Sequence, residues 1–296
     1  MSGDAQRSVL APGRRPGGSL SYGGLPRVFF FIVLVFAVIY LFPVVWMFLT
    51  SIRPDGDIHK FPPTIVPRAL TVSNYVYVFT GMSGFRRYFL NSVVVTVSTV
   101  LIVLFASAMS GYAFGMRRFK GNQALFMVVL SVLTIPYIMY LIPIFIMEYR
   151  LGLTESYLGL ILPYVALNLP WGLLIMRGAF STIPLDIRDA AIVDGCGEYR
   201  MVFQILLPIV KPAFVTTTII TFVFAWQEFM FASTINKKNQ WQTLPVGIVW
   251  IRDELQTMAM GKVGAAIILS VLPVLVLFFV FRRFFIEGLS EGMLKG

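Results

Sequence analysis

The sequence predicts an all-α integral membrane protein: six transmembrane helices, with a short helix-turn-helix inserted between the fourth and the fifth. Three observations predict it. Of 296 residues, 57% are hydrophobic and only 13% charged, against about 25% charged in a soluble domain. The charges bound five long uncharged runs instead of being scattered. After the fourth run comes a patterned segment, residues 181–211, too long to be a simple connector. The same composition excludes a disordered chain, which would be polar and highly charged. A disulfide scaffold is excluded because Cys196 is the only cysteine.

Residues 1–27 hold Pro12, Pro16, Pro26, several glycines and four arginines. They read as a disordered cytoplasmic tail leading into a signal anchor, because the apolar run that follows is of membrane length and has no small-residue cleavage site after it. The charge-free runs are Val28–Ile52, Tyr88–Met116, Gly121–Met147, Ser156–Met176 and Val263–Phe281, each long enough to span a bilayer. Pro212–Asn236 counts as another span, interrupted only by Glu228. The charge-free stretch 69–85 is a decoy, since Thr71, Ser73, Asn74, Thr80, Gly81, Ser83 and Gly84 make it too polar and too short. A spanning domain of residues 28–284 and a cytoplasmic tail of 285–296 follow.

Six crossings place both termini on one side, and Lys and Arg decide which. With cytoplasmic termini, 14 of the 24 basic residues lie inside, including the tight Arg117, Arg118, Lys120 loop and the Arg282, Arg283 pair. Arg86 and Arg87, just before the second span, count against this orientation. The positive-inside flanks account for much of the +10 net charge, so no nucleic-acid partner is implied.

Proline interrupts most spans: Pro43, Pro136, Pro143, Pro163, Pro170 and Pro273. Each removes a backbone donor and frees a carbonyl that hydrocarbon does not satisfy, so these helices are expected to pack in protein or line a wet cavity. Asn91, Asn168, Thr217, Thr221, Trp226, Gln227 and Glu228 are the candidate pathway residues. On one continuous helix Thr217, Thr221 and Glu228 fall at about 0°, 40° and 20°, sharing a face with Phe224. A carboxylate at the centre of a span costs on the order of 3 kcal/mol, and less toward an interface, where Glu228 falls. It reads equally as a pathway residue or as a structural partner to a hydroxyl or a basic group.

In residues 181–211, Pro184 and Asp186 mark a helix start with Asp186 as N-cap, and Asp189 lies in the first turn where the dipole favours it. Ala190 and Ala191 give that helix a thin face that admits another protein, and Gly195 ends it in the left-handed conformation. A second helix, 198–207, is expected to stop at Pro208.

Asp189-Ala190-Ala191, three residues, Gly195, nine residues, then Ile205-Leu206-Leu207-Pro208 resembles the Glu-Ala-Ala signature of membrane subunits of binding-protein-dependent ABC importers. Asp189 stands where that family usually has Glu. Gly111-Tyr112-Ala113-Phe114, Arg118-Phe119-Lys120-Gly121, Ile142-Pro143, Leu151-Gly152-Leu153-Thr154, Trp226-Gln227-Glu228-Phe229 and the ending Gly288 to Gly296 are similar to its carbohydrate branch, with Gln227 replacing a more usual Asn. The resemblance implies a coupling helix that docks into the ATP-binding subunit through Asp186, Asp189, Ala190, Ala191, Asp194, Gly195, Leu207 and Pro208. It implies also a C-terminal contact with the ATPase subunits through Glu291, Gly292 and Lys295. The implied partners are a pair of ATP-binding subunits that hold ATP and Mg, a second homologous permease subunit, an extracytoplasmic solute-binding protein, and a sugar or oligosaccharide. The implied location is the bacterial inner membrane.

The chain lacks GxxxxGK[ST], and Gly195-Cys196-Gly197 has no preceding strand, so no nucleotide site of its own is expected. One His and one Cys build neither a metal site nor a nucleophile pair. His59 reads as a solvated loop residue and Cys196 as a reduced packing residue. An ion-coupled secondary transporter is the alternative. That class places several ionisable groups near the midplane, and it leaves the segment 181–211 unexplained. A membrane-embedded hydrolase needs a nucleophile and base that no span offers. The outer loops 53–87 and 233–262 are expected to dock the solute-binding protein. No span contains Lys or Arg, which tilts the substrate toward a neutral oligosaccharide; the carboxylates of an acidic one would have to be met by hydroxyls, helix N-termini, the partner permease, or mouth residues such as Arg86 and Arg87.

Overall fold

The computed structural model describes residues 27–58, 69–82, 84–255 and 259–294. Residues 1–26, His59 and Lys295 lie outside them. The chain divides into two compact units, residues 1–46 and 47–296. In the first, the described residues are one helix: α1, Arg27–Ser51, begins here and runs unbroken through Pro43, with residues 29–45 all exposed.

The second unit contains the end of α1 and twelve further helices among the described residues. These are α2 (Asp55–Ile58), α3 (Ser73–Thr80), α4 (Phe85–Met116), α5 (Asn122–Ser131), α6 (Leu141–Leu151) and α7 (Leu158–Ser181). They continue with α8 (Leu185–Val193), α9 (Glu198–Ile209), α10 (Lys211–Gln227), α11 (Met230–Ile235), α12 (Leu244–Leu255) and α13 (Met260–Leu294). No strand occurs among the described residues. Four helices, α1, α4, α7 and α13, are long and apolar enough to cross a membrane; the count reaches six if each of two bent pairs is one crossing.

The bent pairs lie in the proline-bearing third and fifth spans. In the third span α5 and α6 meet at 95°. Pro136 has no N–H and forces Ile135 into an extended conformation, so the chain turns there through two short 3-10 segments. α9 and α10 meet at 87° across Val210, just before Pro212. The fifth span does not run to Asn236, because α10 ends at Gln227 and Glu228 is extended. Pro163 and Pro170, by contrast, stay inside α7 and are buried by its neighbours.

The centre of the second unit is the α4–α7 pair, drawn together by small residues. A Cβ on Gly111 would sit 2.5 Å from Met176 Cβ, and one on Gly172 would sit 2.8 Å from Ser107 Cβ. The two helices therefore approach backbone to backbone, the same device that brings membrane helices together elsewhere.

Polar ties gather the connections at two ends. At one, Tyr157 Oη donates to Asn91 Oδ1 (2.8 Å), whose Nδ2 donates to the carbonyls of Gln240 and Gln242. The Glu155 carboxylate accepts the backbone N–H groups of Lys237 and Lys238 there, and Lys262 pairs with Asp55 at 3.1 Å. At the other end Arg177 donates to Gln123 Oε1 and lies 3.7 Å over the Phe126 ring, and Arg117 pairs with Glu198.

Candidate functional site: the α8–α9 knob and the broken spans

Between α7 and α10 the chain forms a knob of two short helices. α8 is closed by a complete reverse turn: Cys196 N–H donates to Ala191 O (2.9 Å) and Gly195 N–H to Ile192 O (3.0 Å), with Gly195 at φ +72°. This six-to-one and five-to-two pairing is the glycine stop expected of that residue. The N-cap is Pro184, not Asp186; Asp186 is the second helical residue, where its charge meets the dipole without a capping hydrogen bond.

α9 does not end at Pro208 but passes through it to Ile209. Its middle, Met201–Leu206, is wound as a π-helix, with Leu207 N–H reaching back to Val202 O. A wider turn one residue before a proline gives its ring room that a regular α turn would deny it, which is why the helix survives.

The knob is seated firmly. Ala191, Met201, Val202 and Leu206 are buried in one apolar cluster with Tyr112, Met116, Met176 and Phe180 from the ends of α4 and α7. Tyr112 Oη donates to Glu198 Oε1 at 3.1 Å, and Arg117 reaches the same carboxylate. So the alanine face is divided: Ala191 faces inward as packing, and Ala190 stays exposed. The outward face carries Asp189 and Asp194 among exposed Leu185, Ile192 and Val193, the last 87% exposed. Leu207 is half-buried, beside a shallow groove lined with Pro208. Cys196 is half-buried against the apolar cluster, a packing residue as expected. Tyr199, the second residue of α9, is 70% exposed.

The candidate pathway residues are dispersed. Asn91 is fully engaged in the loop ties described above. Trp226 is stacked on Phe222, with Nε1 donating to Ser270 O at 3.0 Å. Gln227 is exposed at a groove of about 310 Å³ shared with Leu244 and Ile248. Thr217 and Thr221 are buried on α10, and the Thr217 hydroxyl is returned to Ala213 O.

Glu228 does not share their face, because it sits past the helix end. Its carboxylate accepts the N–H groups of Phe231 (2.8 Å) and Ala232 (3.1 Å) at the start of α11 and the Tyr164 hydroxyl from α7. The expectation of one helical stripe is corrected here: the carboxylate supplies acceptors for backbone donors that the break in the span would otherwise orphan.

Asn168, whose Nδ2 donates to Tyr164 O, lines a partly open cavity of about 250 Å³ beside the break at Pro136. Around it stand Tyr137, Tyr140, Trp171 and Phe224. Four rings and one amide are a set that stacks on the apolar faces of a ring and hydrogen-bonds its edge. These rings were missed as site residues, although Pro136, inside the charge-free run Gly121–Met147, marks the place.

With this geometry in hand, the comparisons are specific. The family model described as binding-protein-dependent transport system inner membrane component matches residues 105–290. The chain belongs to that family. This permease is 31% identical to the arabinooligosaccharides transport system permease protein AraQ of Halalkalibacterium halodurans, over 88% of its own length and 93% of the relative's. It is 31% identical to the trehalose/maltose permease MalG of Thermococcus litoralis (89% and 94%) and to the sulfoquinovosyl glycerol permease SmoH of Agrobacterium fabrum (95% and 98%). Its fold superposes with a TM-score of 0.78, at 22% identity, on a chain of a bacterial ABC transporter that imports the acidic polysaccharide alginate, over 88% of this permease and 95% of that chain. The permease family model spans the knob, the broken spans and most of α13.

Proposed function

We propose that this permease is one membrane subunit of an ATP-driven importer that moves a sugar or oligosaccharide, delivered by a solute-binding protein, across the bacterial inner membrane by alternating access. The observation that carries this reading is the knob: an exposed apolar and acidic face on a helix locked to the ends of α4 and α7. A contact made there moves the spans as a unit instead of bending a loop. ATP binding in two partner subunits, which hold the nucleotide and Mg, closes them and pushes the knob. The broken spans then reorient by population shift between two packed states. Asp186, Asp189, Ala190, Asp194 and Gly195 form the docking face; Ala191, Leu207 and Pro208 hold its shape. Glu291, Gly292 and Lys295 add a second contact with the same partners, the first two falling on the last part of α13.

The ring-lined cavity at Asn168 is where the pathway passes this subunit, with a second permease supplying the facing half. The knob faces the cytoplasm, both termini lie on that side, and the loops 53–84, 152–157 and 228–259 meet the binding protein outside. The names of the relatives support a saccharide cargo.

Gly195→Leu tests the reading. A Cβ at Gly195 meets nothing within 4 Å, so the substitution strains only the turn, and the protein is expected to insert and assemble. In proteoliposomes ATP hydrolysis should continue while uptake falls at least ten-fold. Wild-type uptake would remove the knob from the coupling.

A further inference from the structure

α10 and α13 run antiparallel along one seam of the second unit. At its far end Trp226 Nε1 donates to Ser270 O, and at the knob end Lys211 Nζ lies 5.8 Å from the centre of the Phe284 ring. Between these contacts the seam opens into a groove of about 390 Å³ at Pro273, lined only by apolar side chains, Phe222, Leu272, Val276, Val280 and Phe281 among them. Leu272, Val276 and Val280 follow at four-residue spacing and are exposed along it. The knob end is cationic instead. Arg283 Cζ lies 4.7 Å from the same Phe284 ring, so two cations converge on one aromatic side chain. Lys211 and Arg283 are exposed, and neither pairs with a carboxylate among the described residues. Helix geometry fixes the spacing of the two parts. Phe222 lies eleven positions past Lys211, and Pro273 eleven before Phe284. That is about 16 Å of helix, and one leaflet of bilayer hydrocarbon is about 15 Å deep.

We propose that this seam is a binding site for one anionic phospholipid, with its phosphate on Lys211 and Arg283 and an acyl chain in the groove at Pro273. The two parts call for the same occupant. A carboxylate of a soluble subunit would meet the cations and leave the groove open, whereas an apolar helix of another subunit would fill the groove and leave the cations unpaired. An anionic phospholipid meets both, at the spacing found. Lysine and arginine hold phosphate through charge-assisted hydrogen bonds, and basic pockets between membrane helices select anionic headgroups. Seated there, the lipid joins the start of α10, at the 87° bend behind the knob, to the last span. The inference goes beyond the importer reading and does not depend on the cargo.

The test uses the assembled permease complex in phosphatidylcholine nanodiscs that hold a trace of a probe lipid with a photoreactive diazirine in its acyl chain. The probe is either phosphatidylglycerol or phosphatidylcholine, and labelled residues are mapped by peptide mass spectrometry. In the wild type the phosphatidylglycerol probe should label residues 272–281 at least five-fold more than the phosphatidylcholine probe, the excess shrinking as salt screens the headgroup. The pair Lys211→Gln, Arg283→Gln should bring the two probes to equality, and Lys211→Arg with Arg283→Lys should keep the excess. If the Gln pair fails to fold, Lys211→Gln alone should cut the excess at least in half, and an unchanged excess overturns the proposal. Equal labelling by both probes in the wild type, or an excess that survives the Gln pair, overturns it too. So does a groove that neither probe labels while Val276→Cys cross-links to the second permease, since the occupant would then be protein. A Gln pair that lowers co-purification of the ATP-binding subunit and leaves the lipid excess intact has the same consequence, because the cations would then serve that subunit. Failure of the importer reading shows differently, as a chain that does not co-purify with an ATP-binding subunit and on which the lipid test still runs.

Discussion

Glu228 shows how a single carboxylate is made tolerable in an apolar setting. It is 6% exposed and accepts two backbone N–H groups and one hydroxyl. Leaving a buried donor or acceptor without its partner costs about 1–3 kcal/mol. Tyr164→Phe should therefore destabilise by about that much, and Glu228→Ala, which orphans both N–H groups, by more; Glu228→Gln, keeping one acceptor oxygen, should fall between. Thermal unfolding of the detergent-solubilised complex measures all three. A Glu228→Ala protein as stable as the wild type but altered in uptake would restore a pathway role. Gly111 makes the opposite case, a residue chosen for what it lacks. An added methyl would overlap Met176 at both Cβ and backbone carbonyl carbon, so Gly111→Ala should cost about 1–3 kcal/mol through overpacking, read as a lower unfolding temperature.

At the scale of the element, the knob separates stability from coupling. The Arg117–Glu198 pair is about half exposed on both sides, and such a pair contributes at most about 1 kcal/mol. The buried cluster of Ala191, Met201, Val202 and Leu206 outweighs it. Glu198→Ala should barely change the unfolding temperature yet raise the ATP consumed per sugar moved, because the knob is then held by packing alone. The knob was largely legible in sequence, since Gly195 and the small pair beside Asp189 have local meanings that no tertiary contact overrides. What was not legible follows from the neighbours. Pro208 reads as a stop only if the turn before it is α-helical, and the π-helical winding appears once Met201, Val202 and Leu206 are pinned to α4 and α7. Ala190 and Ala191 are identical as letters, and only the packing direction of α8 sends one inward. Glu228 read as helical because it is the one charged residue in the run 212–236, while the hydroxyl that meets it past the helix end belongs to Tyr164, 64 positions away.

For the whole molecule, charge placement marked the apolar stretches, four of which are single long helices and two of which are bent pairs, and it did not give their shape. Pro136 announces a break but not its 95° angle, which sets the ring-lined cavity around Asn168. The polar ties group the connections: Glu155 and, through Asn91, Tyr157 with residues 237–242, and Asp55 with Lys262, in one set, Gln123 with Arg177 and Arg117 with Glu198 in the other. The relation between knob and partner ATPase is the central claim, and one measurement reaches it directly. With Cys196→Ala removing the only native thiol, Val193→Cys places a single reactive group on the exposed face of α8. In membranes containing the assembled complex, a short bifunctional thiol reagent should join this position to a cysteine in the cleft of the ATP-binding subunit, and an impermeant maleimide added to intact cells should leave it unlabelled. Labelling from outside the cell, with no cross-link to the ATP-binding subunit, would contradict the account.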